Sequence, residues 1–353
     1  MAPCTIRILV PSLRGTSGIA TYTVSLAAGL ASAGHEVVLL DETASFETAD
    51  PRITVVGLRP PRHLPYPFEP MAEWGRLGEV RRLAREFAVD GIHATRLGFV
   101  PRREKLVITV WDPIVRPIGR FRAGSKRGEP RAMEAMYAVV DAAAARRSGA
   151  IVAVTQAVQK GFDRFGRCEF IPPFLEDGLI APTRPHRPHD IVMVAGVLDL
   201  ERKGLDLALQ AVSLVRDTVP DARLILVGDW IDPARRNSLP DFCEARGRLD
   251  PEEVQAAFAI AGCCLIPSLW EEFGYSGLEA LATGTPVACT PLPGYEGLSG
   301  GGVFIARRGE PAQLAREIVG ALDATTFEFP AECRASVAIP RILNLYESTF
   351  GAV

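Results

Sequence analysis

Two series of alternating β-rich and helix-like segments flank the proline-rich stretch Pro182-Thr-Arg-Pro-His-Arg-Pro-His-Asp190, and this duplication constrains the chain more than any other feature. Before it, Ile6 to Val10 is a short apolar β-rich run, Thr21 to Ala33 reads as a helix stopped by Gly34, and Glu36 to Leu40 reads as a second strand. Strands joined by a helix-long crossover pair in parallel, because only antiparallel neighbours can be joined by a tight turn. Further strands are expected at Thr54 to Val56, Leu106 to Val110 and Ile151 to Val154. Beyond the prolines the alternation restarts with a strand at Ile191 to Ala195, a helix at Leu205 to Arg216 and a strand at Arg223 to Val227. It continues with helices at Pro251 to Ala261, Gly277 to Ala282 and Pro311 to Leu322, and strands at Cys263 to Ile266 and Val287 to Cys289. The pattern predicts an α/β protein of two Rossmann-like, doubly wound domains, residues 1–180 and 181–334, facing each other across a cleft, with residues 182–190 as linker. Ligands of open α/β sheets bind beyond the carboxyl ends of the strands, so the cleft is the expected site.

Bulk properties agree with this reading and exclude others. The 353 residues are enough for two domains, and 48% hydrophobic with 23% charged residues can fill ordinary cores. A formal net charge of -3 gives no global reason for nucleic-acid binding. No run approaches the roughly 18 apolar residues of a membrane span, and the first residues lack the order of a secretory signal. The seven cysteines are odd in number, irregular in spacing and without a C-x-x-C pair, which argues against a disulfide framework or a zinc site. Cys263 and Cys264 read as buried strand residues, and the expected location is the reducing cytoplasm.

The richest local constellation is Pro267-Ser-Leu-Trp-Glu271-Glu-Phe-Gly-Tyr-Ser-Gly-Leu-Glu279-Ala-Leu-Ala-Thr-Gly284-Thr-Pro286. Ser276 and Glu279 have the spacing of a capping box, which predicts Ser276 as N-cap and Glu279 in the first turn. Gly284 and Pro286 are placed to end that helix. A helix opening at a strand's carboxyl end offers free N–H groups and partial positive charge to a diphosphate. Glu271, on the preceding loop, is expected to be free of any capping duty, and Gly274 and Gly277 permit close backbone approach to a ligand.

The pair Glu271 and Glu279, set in Ser268-Leu-Trp-Glu-Glu-Phe-Gly and followed by Leu278-Glu-Ala-Leu-Ala-Thr-Gly-Thr-Pro-Val-Ala, resembles the retaining glycosyltransferase family 4, whose members have the GT-B fold. The resemblance extends to Gly18-Ile-Ala-Thr-Tyr, Gly34-His-Glu-Val, Lys203-Gly-Leu-Asp, Val227-Gly-Asp and Gly247-Arg-Leu-Asp-Pro-Glu-Glu-Val. It implies that a C-terminal helix, residues 335–353, whose segment Ile339 to Phe350 carries the likeness, crosses back onto the N-terminal domain. It also implies a hexosyl-type transfer from a UDP- or GDP-sugar to a hydroxyl acceptor, an envelope glycan or lipid or a small metabolite. In that reading Glu279 holds the ribose, Glu271 meets the donor sugar, and Lys203 binds phosphate. Ser276, Gly277 and Leu278 offer backbone to the diphosphate and ribose, Leu249 reads the base through its backbone, and Gly18 lies in a loop closing over the phosphates. No cofactor beyond the donor is expected, and the lack of a D-x-D motif near a strand end predicts no bridging metal.

The chain departs from the family at three places. Gly196-Val197 stands where Gly-Arg is common, which leaves Arg202 either as a replacement phosphate contact or as a plain surface residue. Thr109-Val110-Trp111-Asp112 stands where the family often has Thr-x-His-Asp, so Trp111 is either a stacking platform for the acceptor or a core residue closing a strand. Asp112 could orient an acceptor hydroxyl or cap a turn. Pro172-Pro173-Phe174 replaces the usual Pro-Asn-Gly. His93 sits where the family often has a histidine and is a further acceptor-side candidate, although a lone histidine is commonly structural; His35 is read as structural.

Two segments bear on the acceptor. Residues 57 to 70 are proline-rich with His63, Tyr66 and Phe68, and residues 113 to 131 carry Arg116, Arg120, Arg122, Lys126, Arg127 and Arg131 against Glu129. The second is either a solvated loop or a basic surface for an acidic acceptor or the anionic inner face of a membrane. Trp74 to Phe87 fits a packed amphipathic helix better than an interfacial one. Competing readings are a non-catalytic nucleotide-sugar-binding protein and a nucleotide-sugar epimerase. A nicotinamide dehydrogenase is disfavoured, because Gly15-Thr-Ser-Gly18 lacks the G-x-G-x-x-G spacing.

Overall fold

The computed structural model describes residues 7–11, 18–42, 46–59, 75–95, 105–111, 138–180, 187–307 and 310–351. Gly15, Trp74, Asp112, the basic segment 113–131, most of the proline-rich segment 57–70 and residues 182–186 lie outside them. The chain divides into two compact units, one of Met1–Glu176 with Ala335–Val353 and the other of Asp177–Arg334.

The first unit is built on strands β1 (Arg7–Pro11), β2 (Glu36–Asp41), β3 (Ile53–Gly57), β4 (Gly91–Ala94), β5 (Leu106–Val110), β6 (Ala150–Ala153) and β7 (Cys168–Phe170). They pair in parallel in the order β3-β2-β1-β4-β5-β6-β7, so the order reverses between β1 and β4. Helices α1 (Gly18–Ser32), α2 (Leu77–Glu86) and α3 (Gln156–Phe162) lie along the crossovers. All five residues of β5 are buried, the continuous apolar signature of a strand covered on both faces. Val80, Leu83 and Ala84 of α2 join Leu40, Ile108 and Phe162 in the core, which makes α2 an ordinary packed helix.

The second unit repeats the plan with β8 (Arg187–Val197), β9 (Arg223–Asp229), β10 (Cys243–Gly247), β11 (Ala261–Ile266), β12 (Val287–Cys289) and β13 (Val303–Ile305). Their order is β10-β9-β8-β11-β12-β13, reversing between β8 and β11. Helices α4 (Leu205–Val215), α5 (Pro233–Asn237), α6 (Pro251–Ile260) and α7 (Tyr275–Ala282) lie between them, and α8 (Pro311–Leu322) follows β13. Ile191, Met193, Leu224, Leu226 and Leu265 of the sheet pack against Ala208, Val212 and Ile318 of α4 and α8. Cys263 and Cys264 are fully buried in β11, and burial pushes the Cys263 thiol up to about 12, which removes it from thiolate chemistry.

The last helix, α9 (Ala335–Phe350), returns to the first unit and packs on α1, β5 and β6. Its seat is cut by missing side chains: a Cβ on Gly91 would lie 2.3 Å from the Phe350 ring, and one on Gly29 would lie 2.6 Å from Ile339. Among the described residues no helix is long and apolar enough to cross a membrane.

Four strands escape the sequence reading, namely β4, β7, β10 and β13. The last three are edge strands with half-exposed residues and a correspondingly thin apolar signal, whereas β4 is buried between β1 and β5 but is only four residues long and holds a glycine and His93. The expected linker is also too long, because residues 187–190 belong to β8. Pro188 is accommodated near the start of that strand, where the register against β11 is irregular. α9 spans Ala335–Phe350, with Pro340 inside it.

Candidate functional site

In the second unit, β8 and β11 flank the point where strand order reverses, the position at which open α/β sheets bind ligands. The chain leaving β8 forms a short 3-10 turn, Glu201–Lys203, and the chain leaving β11 runs through Ser268 to Glu271 before entering α7. The Leu269 N–H donates to the Arg202 carbonyl at 2.8 Å, tying the two loops together. Gly204, left-handed at φ 69°, lies against the second loop so closely that a Cβ there would sit 2.0 Å from the Pro267 carbonyl oxygen. This approach brings the two candidates named for chemistry into contact.

The Lys203 ammonium donates to both Glu271 carboxylate oxygens at 3.0 Å. The Ser268 hydroxyl donates to Glu271 Oε2 at 2.9 Å, and Thr290 holds the Ser268 carbonyl through its own hydroxyl. The side chains of Lys203 and Glu271 are 13% and 24% exposed, so the pair is sheltered yet reachable. Glu271 caps no helix here, but its carboxylate is engaged by Lys203 and Ser268. An ammonium carries three N–H donors, and two of them go to Glu271, which leaves one for an incoming anion.

Helix α7 corrects a second expectation. Its N-cap is Gly274, at φ 73° and ψ 66°, with no side-chain capping bond. Ser276 lies inside the helix, and no capping box forms with Glu279. Two contacts explain the earlier start. The buried Tyr295 hydroxyl donates to the Gly274 carbonyl, and the Phe273 ring stacks on Tyr295 with centroids 5.6 Å apart. Gly277 is required by the same side chain, since a Cβ there would lie 2.1 Å from the Tyr295 hydroxyl. The first amides of α7 have no capping side chain, as an anion-accepting helix start requires. Gly284 closes the helix at φ 80° as expected.

Released from capping, Glu279 accepts no hydrogen bond among the described residues. It keeps a partly exposed surface, but burial pushes its carboxyl from 4.5 up to about 7. The folded protein thus holds a proton between those values that the unfolded chain has released, so stability falls as pH rises through that window. The melting temperature is expected to drop more between pH 5 and pH 8 in the native protein than in Glu279→Gln. Equal drops would remove the burial argument.

Of the other second-unit candidates, Arg202 is half-buried and its guanidinium meets no partner among the described residues. Ser276 is half-exposed, Leu278 is fully buried, and Leu249 is half-buried between β10 and α6. Val197 ends β8 and pairs with Asp229 across a register shift. Ser268, Thr290 and Tyr295 support the site without having been singled out. Ser268 was legible within the motif, whereas nothing local marks a tyrosine 18 residues beyond Gly277 as its neighbour.

In the first unit Gly18 opens α1. His93 is fully buried, its Nδ1 2.5 Å from the Tyr346 hydroxyl and its Nε2 2.7 Å from Thr109 Oγ1. Burial drives its pKa down to about 3, and with both nitrogens engaged the ring has none to offer an acceptor. Replacing it by phenylalanine is expected to cost about 1–3 kcal/mol, because the Tyr346 hydroxyl loses its partner. Chemical denaturation would measure this; an unchanged midpoint would refute it. Trp111 sits just beyond β5, half-buried, with its indole N–H on the Thr95 carbonyl at 2.9 Å and its ring edge-on to Tyr22 at 5.0 Å. Its polar atom is thus spent inside the protein, which leaves the ring as its remaining offer.

Comparison with known proteins gives concordant results. A family model described as Glycosyltransferase Family 4 matches residues 16–177, and one described as Glycosyl transferases group 1 matches residues 188–324. A glycogen synthase of Mycobacterium tuberculosis (strain ATCC 25618 / H37Rv) is 32% identical over 176 residues, which are 47% of this chain and 41% of that relative. A GDP-mannose-dependent alpha-(1-6)-phosphatidylinositol dimannoside mannosyltransferase of Mycobacterium tuberculosis (strain ATCC 25177 / H37Ra) is 29% identical over 294 residues, 77% of this chain and 75% of the relative. The crystal structure of sucrose-phosphate synthase from Thermosynechococcus elongatus superposes with a TM-score of 0.68 over 98% of this chain and 96% of the other, at 18% identity, a likeness of fold alone.

Proposed function

Because the chain belongs to glycosyltransferase family 4, with the GT-B fold, we propose that it is a retaining glycosyltransferase moving a hexosyl-type sugar from a nucleoside diphosphate sugar to a hydroxyl acceptor. The observation that carries the reading is the Lys203–Glu271 pair held beyond β8 and β11 at the strand-order reversal. The uncapped start of α7 and the unpartnered Glu279 carboxylate stand in the segment that follows.

Each group has a role in that chemistry. Breaking the bond between sugar and diphosphate builds negative charge on the leaving phosphate and positive charge on the ring. The remaining Lys203 donor and the α7 amides are suited to the first charge, and the Glu271 carboxylate to the second. Glu279 accepts two ribose hydroxyls, which replace the donors it lacks in the free protein. The acceptor oxygen attacks from the face the diphosphate leaves, and a diphosphate oxygen takes its proton. The Trp111 ring, with its N–H already engaged, offers the acceptor an apolar surface rather than a hydrogen bond.

Thermal-shift screening against UDP-, GDP- and dTDP-sugars would identify the donor, since a ligand of the native state raises its melting temperature. Isothermal titration with that donor is expected to weaken by about 10–100-fold in Glu279→Ala, through the loss of about two hydrogen bonds to a charged acceptor. No shift with any nucleotide sugar would sink the proposal, and a shift without transfer to any acceptor would favour a binding protein.

A further inference from the structure

The first unit carries a second anion-receptive feature, remote from the carboxyl ends of its strands. An open recess of about 440 Å³ is lined by Ala142, Arg146, Arg164 and Phe165. Arg146 follows the helix over 138–145 just ahead of β6, and Arg164 and Phe165 belong to the 3-10 turn Asp163–Phe165 just ahead of β7. The recess therefore sits at the amino ends of β6 and β7, the edge of the sheet opposite the one where ligands of such folds bind.

Its construction is specific. The guanidinium carbons of Arg146 and Arg164 lie 5.0 and 4.9 Å from the centroid of the same Phe165 ring. That ring packs against the unit's hydrophobic core and against Phe162 at 5.9 Å, so it is a fixed floor. Cation–π contact orients both guanidiniums and lowers the conformational entropy a ligand would have to remove. Neither guanidinium has a carboxylate or hydrogen-bond partner among the described residues. Arg147 and Arg167 beside them are exposed and likewise unpaired there; the acids of the two segments are the exposed Asp163 and the buried Asp141. A chain of net charge -3 thus gathers four exposed cations around this edge, against the exposed Asp163 and the buried Asp141.

Two unpaired guanidiniums held by one ring concentrate positive charge at the recess they line, and a multiply charged oxyanion is drawn to that charge and takes charge-assisted hydrogen bonds from it. The recess is several times larger than a bare phosphate needs. We propose that it binds a phosphate ester, with Arg146 and Arg164 gripping the phosphate and Phe165 flooring the site. A phospholipid headgroup and a free phosphomonoester share this chemistry.

The test uses the full chain. Isothermal titration with glycerol 3-phosphate and co-sedimentation with vesicles containing phosphatidylglycerol are each run on the native protein and on the double variant Arg146→Gln/Arg164→Gln. At least one probe is expected to bind the native protein and to bind the double variant at least tenfold more weakly, with the difference shrinking as salt rises. Binding of the vesicles identifies a membrane source, and binding of glycerol 3-phosphate alone identifies a soluble one; either supports the proposal. Neither probe binding the native protein, or both binding the variant equally well, would overturn it. Both residues are exposed, so the variant is expected to fold, and an unchanged melting temperature with unchanged nucleotide-sugar binding confirms that the loss is local.

Discussion

Glu271→Ala is expected to lower transfer by roughly 10²–10³-fold, the usual cost of removing one group aimed at transition-state charge, while nucleotide affinity stays within a few-fold. The expectation rests on what the substitution leaves behind. Lys203 and Ser268 both spend hydrogen bonds on this carboxylate, and without it Lys203 regains three free donors. A free ammonium grips a diphosphate at least as well as a paired one, so ground-state binding is preserved. In the proposed reaction the sugar ring, which becomes positive as its bond breaks, loses the carboxylate assigned to it. Steady-state transfer assays together with isothermal titration separate the two effects. Normal turnover would remove Glu271 from the chemistry. A large loss of nucleotide affinity would instead mean that the residue organises Lys203 rather than meeting the sugar.

Gly204→Ala is expected to damage the stability of the second unit and its site together. Its φ of 69° is strained for any residue with a Cβ, and the new carbon would fall 2.0 Å from the Pro267 carbonyl oxygen, a backbone atom that cannot rotate aside. Left-handed strain and overpacking each cost about 1–3 kcal/mol. For a unit of this size each kcal/mol lowers the melting temperature by about 2–4 °C. The methyl also pushes apart the loops that carry Lys203 and Glu271, so nucleotide binding should fall with stability. Gly228→Ala is the matching control: it is also left-handed, at φ 145°, and meets the Ala195 carbonyl at 1.9 Å, but it does not lie between those loops. Similar thermal losses with nucleotide binding retained in the control would show that the Gly204 contact sets the site. Equal binding losses would reduce both glycines to general stability.

How much was legible in the sequence depended on how local the cause was. Longer central strands could be read because burial on both faces writes an unbroken apolar run, as in Leu106 to Val110, whereas the four-residue central strand Gly91–Ala94, interrupted by His93, was missed. The edge strands β7, β10 and β13 could not, because one side of each meets no strand and their residues are free to be mixed. The capping-box reading of Ser276 and Glu279 followed a sound local rule and failed because Tyr295, far along the chain, fixed the helix start at Gly274. His93 was weighed as an acceptor-side residue; the fold instead locks it between Thr109 and Tyr346, the latter supplied by α9 from the other end of the chain.

The sequence by itself determined that the chain forms two parallel α/β units, that it belongs beside the family-4 glycosyltransferases, and that Lys203, Glu271 and Glu279 stand near strand ends. Periodicity, glycine placement and short-range motifs are enough for each of these. The tertiary structure alone decided that Lys203 and Glu271 are one ion pair, that Glu279 is left without a donor, and that Arg146 and Arg164 share one aromatic ring. Those facts join residues 18 or more positions apart in sequence, and only packing, which sums many weak contacts over the whole unit, selects which distant side chains meet.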